Sequence, residues 1–157
     1  MNRTLLPLLV FLAGCVSDGR NLRPGADEAA VRSDMGKPYE IMALPQGGEA
    51  WFYPRGFVGR QTFRAEFGSD GRLVGIEQVL DEPHFDRLVD NKTTVEEARR
   101  IIGPPNFIYT VMGGSQVWEY KYYWGAQQPW ALRLGVKDGI VTGQARVSEL
   151  GGPRSAQ

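Results

Sequence analysis

Two residue types are nearly absent from this 157-residue chain, which has one Cys and one His. A single Cys excludes an internal disulfide. A single His leaves no cluster from which a transition-metal site is built without relying mostly on carboxylates, so no metal is expected. Excess charge is missing as well: 18 basic and 18 acidic side chains cancel. Without a net field to draw the protein onto phosphate backbones, nucleic acid is not expected as a partner. Catalytic motifs are lacking too. Ser115 stands between Gly114 and Gln116 rather than in a nucleophile elbow, and the glycines sit at turns and helix ends, not in a phosphate-cradling loop. Neither an enzyme nor a cofactor is expected. What is present is ordinary globular material, 42% apolar with 20 Gly and 10 Pro, enough for one modest core or two very small ones.

The amino terminus reads as a targeting segment over 1–14, with Arg3 at its start, an apolar run over 5–13, and Ala13-Gly14 before Cys15. That run falls well short of the roughly 20 residues needed to span a bilayer as a helix. Leu12-Ala13-Gly14-Cys15 resembles the lipobox of bacterial lipoproteins, which implies cleavage before Cys15 and a covalent lipid, palmitate included, on that residue. A lipidated Cys15 also accounts for an unpaired thiol in an exported protein. Val16-Ser17 stand where inner-membrane retention usually has Asp, so the resemblance implies an outer-membrane anchor facing the periplasm. Residues 15–23 read as a flexible tether, and 151–157 as a disordered tail.

Between these ends the chain is written twice. A shift of about 67 residues lays Gly36-Lys37-Pro38 on Gly103-Pro104-Pro105 and the Trp51/Tyr53 strand on Trp118/Tyr120, with Asp70-Gly71 on Asp138-Gly139 one residue later. The units are 24–81 and 82–150. Each opens on a helix signal: Asp27 as cap with Val31 and Met35 as apolar face, then Thr93 with Glu96 as a capping box before a helix ending at Gly103. A short helical turn is expected over 83–89. Strands follow over 39–44, 49–54, 61–68 and 72–80, then 107–112, 116–124, 129–136 and 140–149, with Asp70-Gly71 and Asp138-Gly139 as tight hairpin turns. The expected fold is α+β, two tandem helix-plus-antiparallel-sheet repeats.

Gly36 and Pro38, Gly103 and Pro105, and the Trp51/Tyr53 and Trp118/Tyr120 strands together resemble the BamE (SmpA/OmlA) family of outer-membrane lipoproteins, here doubled. Gly25 stands at the family's start glycine in the first unit, while Asn91-Lys92-Thr93 replaces it in the second. The resemblance implies a non-enzymatic interaction module in outer-membrane protein assembly or envelope maintenance. The implied partner is an envelope protein such as the β-barrel assembly machinery, or anionic lipid headgroups. A tandem pair also resembles the β-lactamase inhibitory protein architecture, in which the repeats join into one curved sheet. That second resemblance implies a binder or inhibitor of a periplasmic or secreted enzyme.

Repetition marks Trp51, Tyr53, Trp118 and Tyr120 as core. Tyr122, Tyr123, Trp124 and Trp130 have no counterpart in the first unit, where 55–60 stands instead, so they are the candidate partner-binding residues, a second small core across the sheet being the alternative. Tyr122 also shares a strand face with Trp118 and Tyr120, which a helix laid across would bury. His84 beside Asp86 reads as a solvated surface pair.

Overall fold

A computed structural model of the chain describes residues 17–151, so the segment over 1–14, the lipidation candidate Cys15 and residues 152–157 lie outside the described residues. The elements in order are α1 (Glu28–Met35), β1 (Glu40–Ala43), β2 (Glu49–Arg55), a 3-10 turn (Phe57–Gly59), β3 (Gln61–Phe67), β4 (Leu73–Gln78), α2 (Glu82–Phe85), α3 (Val95–Ile102), β5 (Phe107–Thr110), β6 (Gln116–Trp124), β7 (Gln128–Lys137) and β8 (Ile140–Ser148).

The helices are short because their signals are close together. Asp27 accepts a hydrogen bond from the Ala30 amide at 2.9 Å, and Gly36 ends α1 after eight helical residues at φ 81°, a left-handed conformation that suits glycine. Helix α3 repeats this, ending at Gly103 at φ 80°. Its capping box is Thr94 with Glu97, not Thr93 with Glu96. Thr93 is committed elsewhere: its buried hydroxyl accepts from the Val89 amide at 2.8 Å, and its carbonyl accepts from Val141 on β8.

The expected α+β fold of two helix-plus-sheet repeats is therefore corrected. The protein is mostly β, two separate antiparallel sheets of order β1-β2-β3-β4 and β5-β6-β7-β8, and its helices are one to two turns long. The single curved sheet implied by the inhibitory-protein resemblance does not form, since no ladder joins the two sheets. Of the two Asp-Gly turns, only Asp138-Gly139 has positive φ at both residues, the two-residue hairpin its sequence predicts. Asp70-Gly71 belongs to a longer loop closed by Gly68 and Arg72.

Alternation along the strands places the cores. In the first sheet Trp51, Tyr53, Ala65, Phe67 and Leu73 face Val31 and Met35 of α1. In the second, Trp118, Tyr120, Tyr122, Leu132 and Leu134 face Phe85, Ala98 and Ile102. The expected tether is partly packed: Gly19 is buried, Leu22 lies on the first core, and Gly25 and Ala26 exchange main-chain bonds with Leu73 at 2.8 Å.

The units meet through the other face of the first sheet. Phe52 and Thr62 are buried there, close against Gly103, and Arg64 donates to the Arg100 carbonyl at 3.1 Å. Arg99 pairs with Glu40, and Asn106 donates to the Val58 carbonyl at 2.7 Å while accepting from the Lys121 amide at 2.6 Å. Arg60, 9% exposed, reaches from the first unit to the Tyr122 and Trp130 carbonyls at 3.4 Å and pairs with Glu149.

Candidate functional site

The β6–β7 register pairs Tyr122 with Trp130, Tyr123 with Pro129 and Trp124 with Gln128. Because side chains alternate across a strand, this register splits the predicted aromatic patch between two faces. Tyr122 and Trp130 lie in the second core, fully buried and 6% exposed respectively. Trp124 is partly buried against the same core, its ring 5.5 Å from that of Trp130. Phe85 of α2 meets the Tyr122 ring edge-on at 4.8 Å, and the Tyr122 hydroxyl donates to Glu82 at 3.0 Å. Only Tyr123 turns to the opposite face, where the Arg60 guanidinium lies 5.6 Å from its ring. Alternation puts Tyr122 on one face with Trp118 and Tyr120, where a helix buries them, and α2 lies there; that Trp130 joins the same core is what the sequence leaves open.

The repeat aromatics are core, as expected: Trp51, Tyr53 and Tyr120 are fully buried and Trp118 nearly so. The indole nitrogens of Trp51 and Trp118 donate to Glu49 and Gln116 at 2.8 and 2.9 Å. Burial pushes the Tyr53 phenol up to about 12 against the pull of Arg32 and Arg55, and raises Tyr120 as well. Both stay neutral phenols at neutral pH. His84 pairs not with Asp86 but with Asp81 at 2.5 Å and Glu77 at 3.4 Å, while Asp86 pairs with Arg146 at 2.6 Å. Helix α2 turns Asp86 toward β8, which explains the exchange of partners. Among the described residues no group of three His, Cys, Asp or Glu side chains converges as a metal site.

Sequence reasoning missed an ionic network on the outer face of the second sheet. Glu119, almost fully buried, lies 2.7 Å from both Lys121 and Arg133, and Lys121 also pairs with Glu149, which Arg60 holds from the first unit. Burial alone would raise both carboxyls. Hydrogen bonds from Lys121 and Arg133 to Glu119, and from Lys121 and Arg60 to Glu149, instead hold them below the ordinary carboxylate range. Depressed folded values give stability that is present above the unfolded carboxylate pKa of about 4.3 and lost as pH falls through the folded values. The expected result is a urea midpoint steady near neutrality that drops below about pH 4, with a shallower drop in Glu119→Gln. An equally steep drop in that variant would remove Glu119 from the account.

The second missed feature is the exposure of β5. Phe107, Ile108 and Tyr109, with Val111 and Met112 beyond, are all exposed, and the Phe107 and Tyr109 rings stack with centroids 6.2 Å apart. A charge-free run of aromatic and β-branched residues over 107–111 was the available signal.

No protein-family model matches the chain, and no curated protein does. Among solved structures it is similar to a DUF4309 family protein (YjgB) from Bacillus subtilis subsp. subtilis str. 168, at 14% identity over 78% of each chain with a TM-score of 0.30.

Proposed function

We propose that the protein is a lipid-anchored lipoprotein of the outer membrane, facing the periplasm, that acts as a non-enzymatic interaction module in outer-membrane protein assembly or envelope maintenance. The observation that carries this reading is the lipobox Leu12-Ala13-Gly14-Cys15 behind a short apolar run, joined to the motifs that resemble the BamE family. Packing of Gly19 and Leu22 supports it, because only a few residues separate the folded body from Cys15 and the body is held close to the bilayer. Several acyl chains on one residue, at about 0.8 kcal/mol per buried methylene, make such an anchor stable.

The expected partner is an envelope protein such as the β-barrel assembly machinery. On fractionation the native protein is expected with outer membranes and Cys15→Ala in the soluble fraction. Crosslinked pull-down from intact envelopes is expected to recover assembly proteins with the native protein and to lose them with Cys15→Ala. Recovery of a single soluble enzyme with both forms would overturn the assembly reading in favour of an inhibitor.

A further inference from the structure

Four strands form the edges of the two sheets, and three of them are covered or charged. At β1, Arg100 donates to the Ala43 carbonyl at 3.3 Å and Glu40 pairs with Arg99. At β4, Gly25 and Ala26 bond to Leu73, Asp27 bridges to Arg72, and Glu77 lies along the strand. At β8, residues 91–95 bond to Gly139 and Val141, and Arg146 pairs with Glu82 and Asp86 further along. These are the devices by which proteins blunt a sheet edge.

The edge at β5 has none of them. The Val111 amide donates to the Ser115 carbonyl at 2.9 Å, and the two-residue alternation of an antiparallel ladder then turns the main-chain groups of Ile108 and Thr110 away from β6. No group among the described residues bonds to them. The side chains along this edge are apolar on both faces: Phe107 and Tyr109 on one, Ile108 opposite Trp118 on the other.

We propose that β5 receives an extended segment of a partner protein as a fifth strand of the second sheet, the segment being uncharged with a large apolar side chain opposite Ile108. This deepens the interaction-module reading and rests on it. Charge selects the occupant first. Residues 106–114 carry none, so a charged residue brought onto this edge loses hydration without gaining a counter-ion. Shape selects it next. A cleft of about 480 Å³ lies beside Ile108, lined by Tyr39, Pro104, Pro105 and Trp118 and by the Glu40–Arg99 pair, in which Glu40 Oε2 and Arg99 Nε have no hydrogen-bond partner among the described residues. A residue of the added strand opposite Ile108 projects to this same face. In a second copy paired β5 to β5 that residue is Thr110 in a register about Tyr109 and Ile108 in a register about Ile108, both small for the cleft. A Trp takes up more of it, and its indole N–H can donate to Glu40 Oε2. Main-chain bonds would then supply affinity, and the cleft specificity.

The test uses the full chain in detergent and an uncharged ten-residue peptide of alternating Thr and Val with one central Trp, followed by NMR hydrogen exchange. Saturating peptide is expected to slow exchange of the Ile108 and Thr110 amides at least tenfold and to leave Tyr109 and Val111, already bonded to β6, nearly unchanged. Methylating alternate peptide nitrogens is expected to abolish binding. Thr110→Pro, which removes an outward amide only, is expected to weaken it at least tenfold; if that variant misfolds, Ile108→Glu does the same by charge. Absence of protection, or equal binding by the methylated peptide, overturns the proposal. Protection in the protein alone also overturns it, in favour of a second copy if it rises with concentration and of a segment of this chain if it does not. None of these readouts depends on the anchor, so they fail separately from the fractionation of Cys15→Ala.

Discussion

Gly103→Ala is expected to destabilise the protein by about 4 kcal/mol and Gly36→Ala by about 2 kcal/mol, although the two glycines end α3 and α1 in nearly the same conformation. Gly36 has φ 81° and ψ −163°, Gly103 φ 80° and ψ −169°. This region is open essentially to glycine alone, and forcing alanine into it costs on the order of 1–3 kcal/mol at either site. Their surroundings differ. A methyl group at Gly36 meets nothing within 4 Å, whereas at Gly103 it stands 2.9 Å from Phe52 Cδ1 and 3.1 Å from Thr62 Cγ2. Both neighbours are fully or almost fully buried in the first sheet, so relief requires the units to part or Phe52 to leave its rotamer, a further cost of about 1–3 kcal/mol. Urea unfolding checks this directly. With an m-value of about 2 kcal/mol/M, the two midpoints should differ by about 1 M. Equal midpoints would mean that the contact of Gly103 with Phe52 does not hold the units together.

That comparison also marks how far the sequence was legible. The shift that lays Gly36 on Gly103 reads both helix ends, and alternation between glycine turns reads all eight strands to within two residues, because each is a local property of the chain. Thr93 against Thr94 was not readable in this way. Both fit a capping box by spacing, and the choice is made by β8, whose Val141 takes the Thr93 carbonyl. The fold class was overestimated in helix because motif spacing reports where a helix ends and not how little of it precedes the end. Lack of counterparts in the first unit marks Tyr122 and Trp130 as partner candidates, although alternation already sets Tyr122 on the face of Trp118 and Tyr120. Their burial depends on α2 laying Phe85 across them, a contact between segments far apart in sequence. Whether an edge strand is covered is equally non-local: β1 and β5 read alike as strands, and only packing puts Arg100 over one and leaves the other bare.

Arg60→Ala is expected to cost about 3 kcal/mol, the lower end of what breaking a buried ion pair costs. The cost lies at that lower end because Glu149 keeps Lys121 as a partner and is itself a quarter exposed. What alanine cannot replace is reach. A single guanidinium bonds Glu149 and the carbonyls of Tyr122 and Trp130, 62 to 89 residues away in sequence, and its fixed fork satisfies all three at once. Arg60→Lys keeps the charge but loses one or two charged hydrogen bonds, so its expected cost is about 2 kcal/mol. Charge and packing separate by pH. Arg60 helps to hold the Glu149 carboxyl below the ordinary range, so part of its contribution exists only while Glu149 is ionised. As pH falls from the unfolded carboxylate value of about 4.3 through the lower folded value, Glu149 protonates in the native protein and that part vanishes, so the gap in urea midpoint between native and Arg60→Ala should narrow. A gap that stays constant from pH 7 to pH 3 would assign the effect to the buried stem of Arg60 and remove its ion pair as the link between the two units.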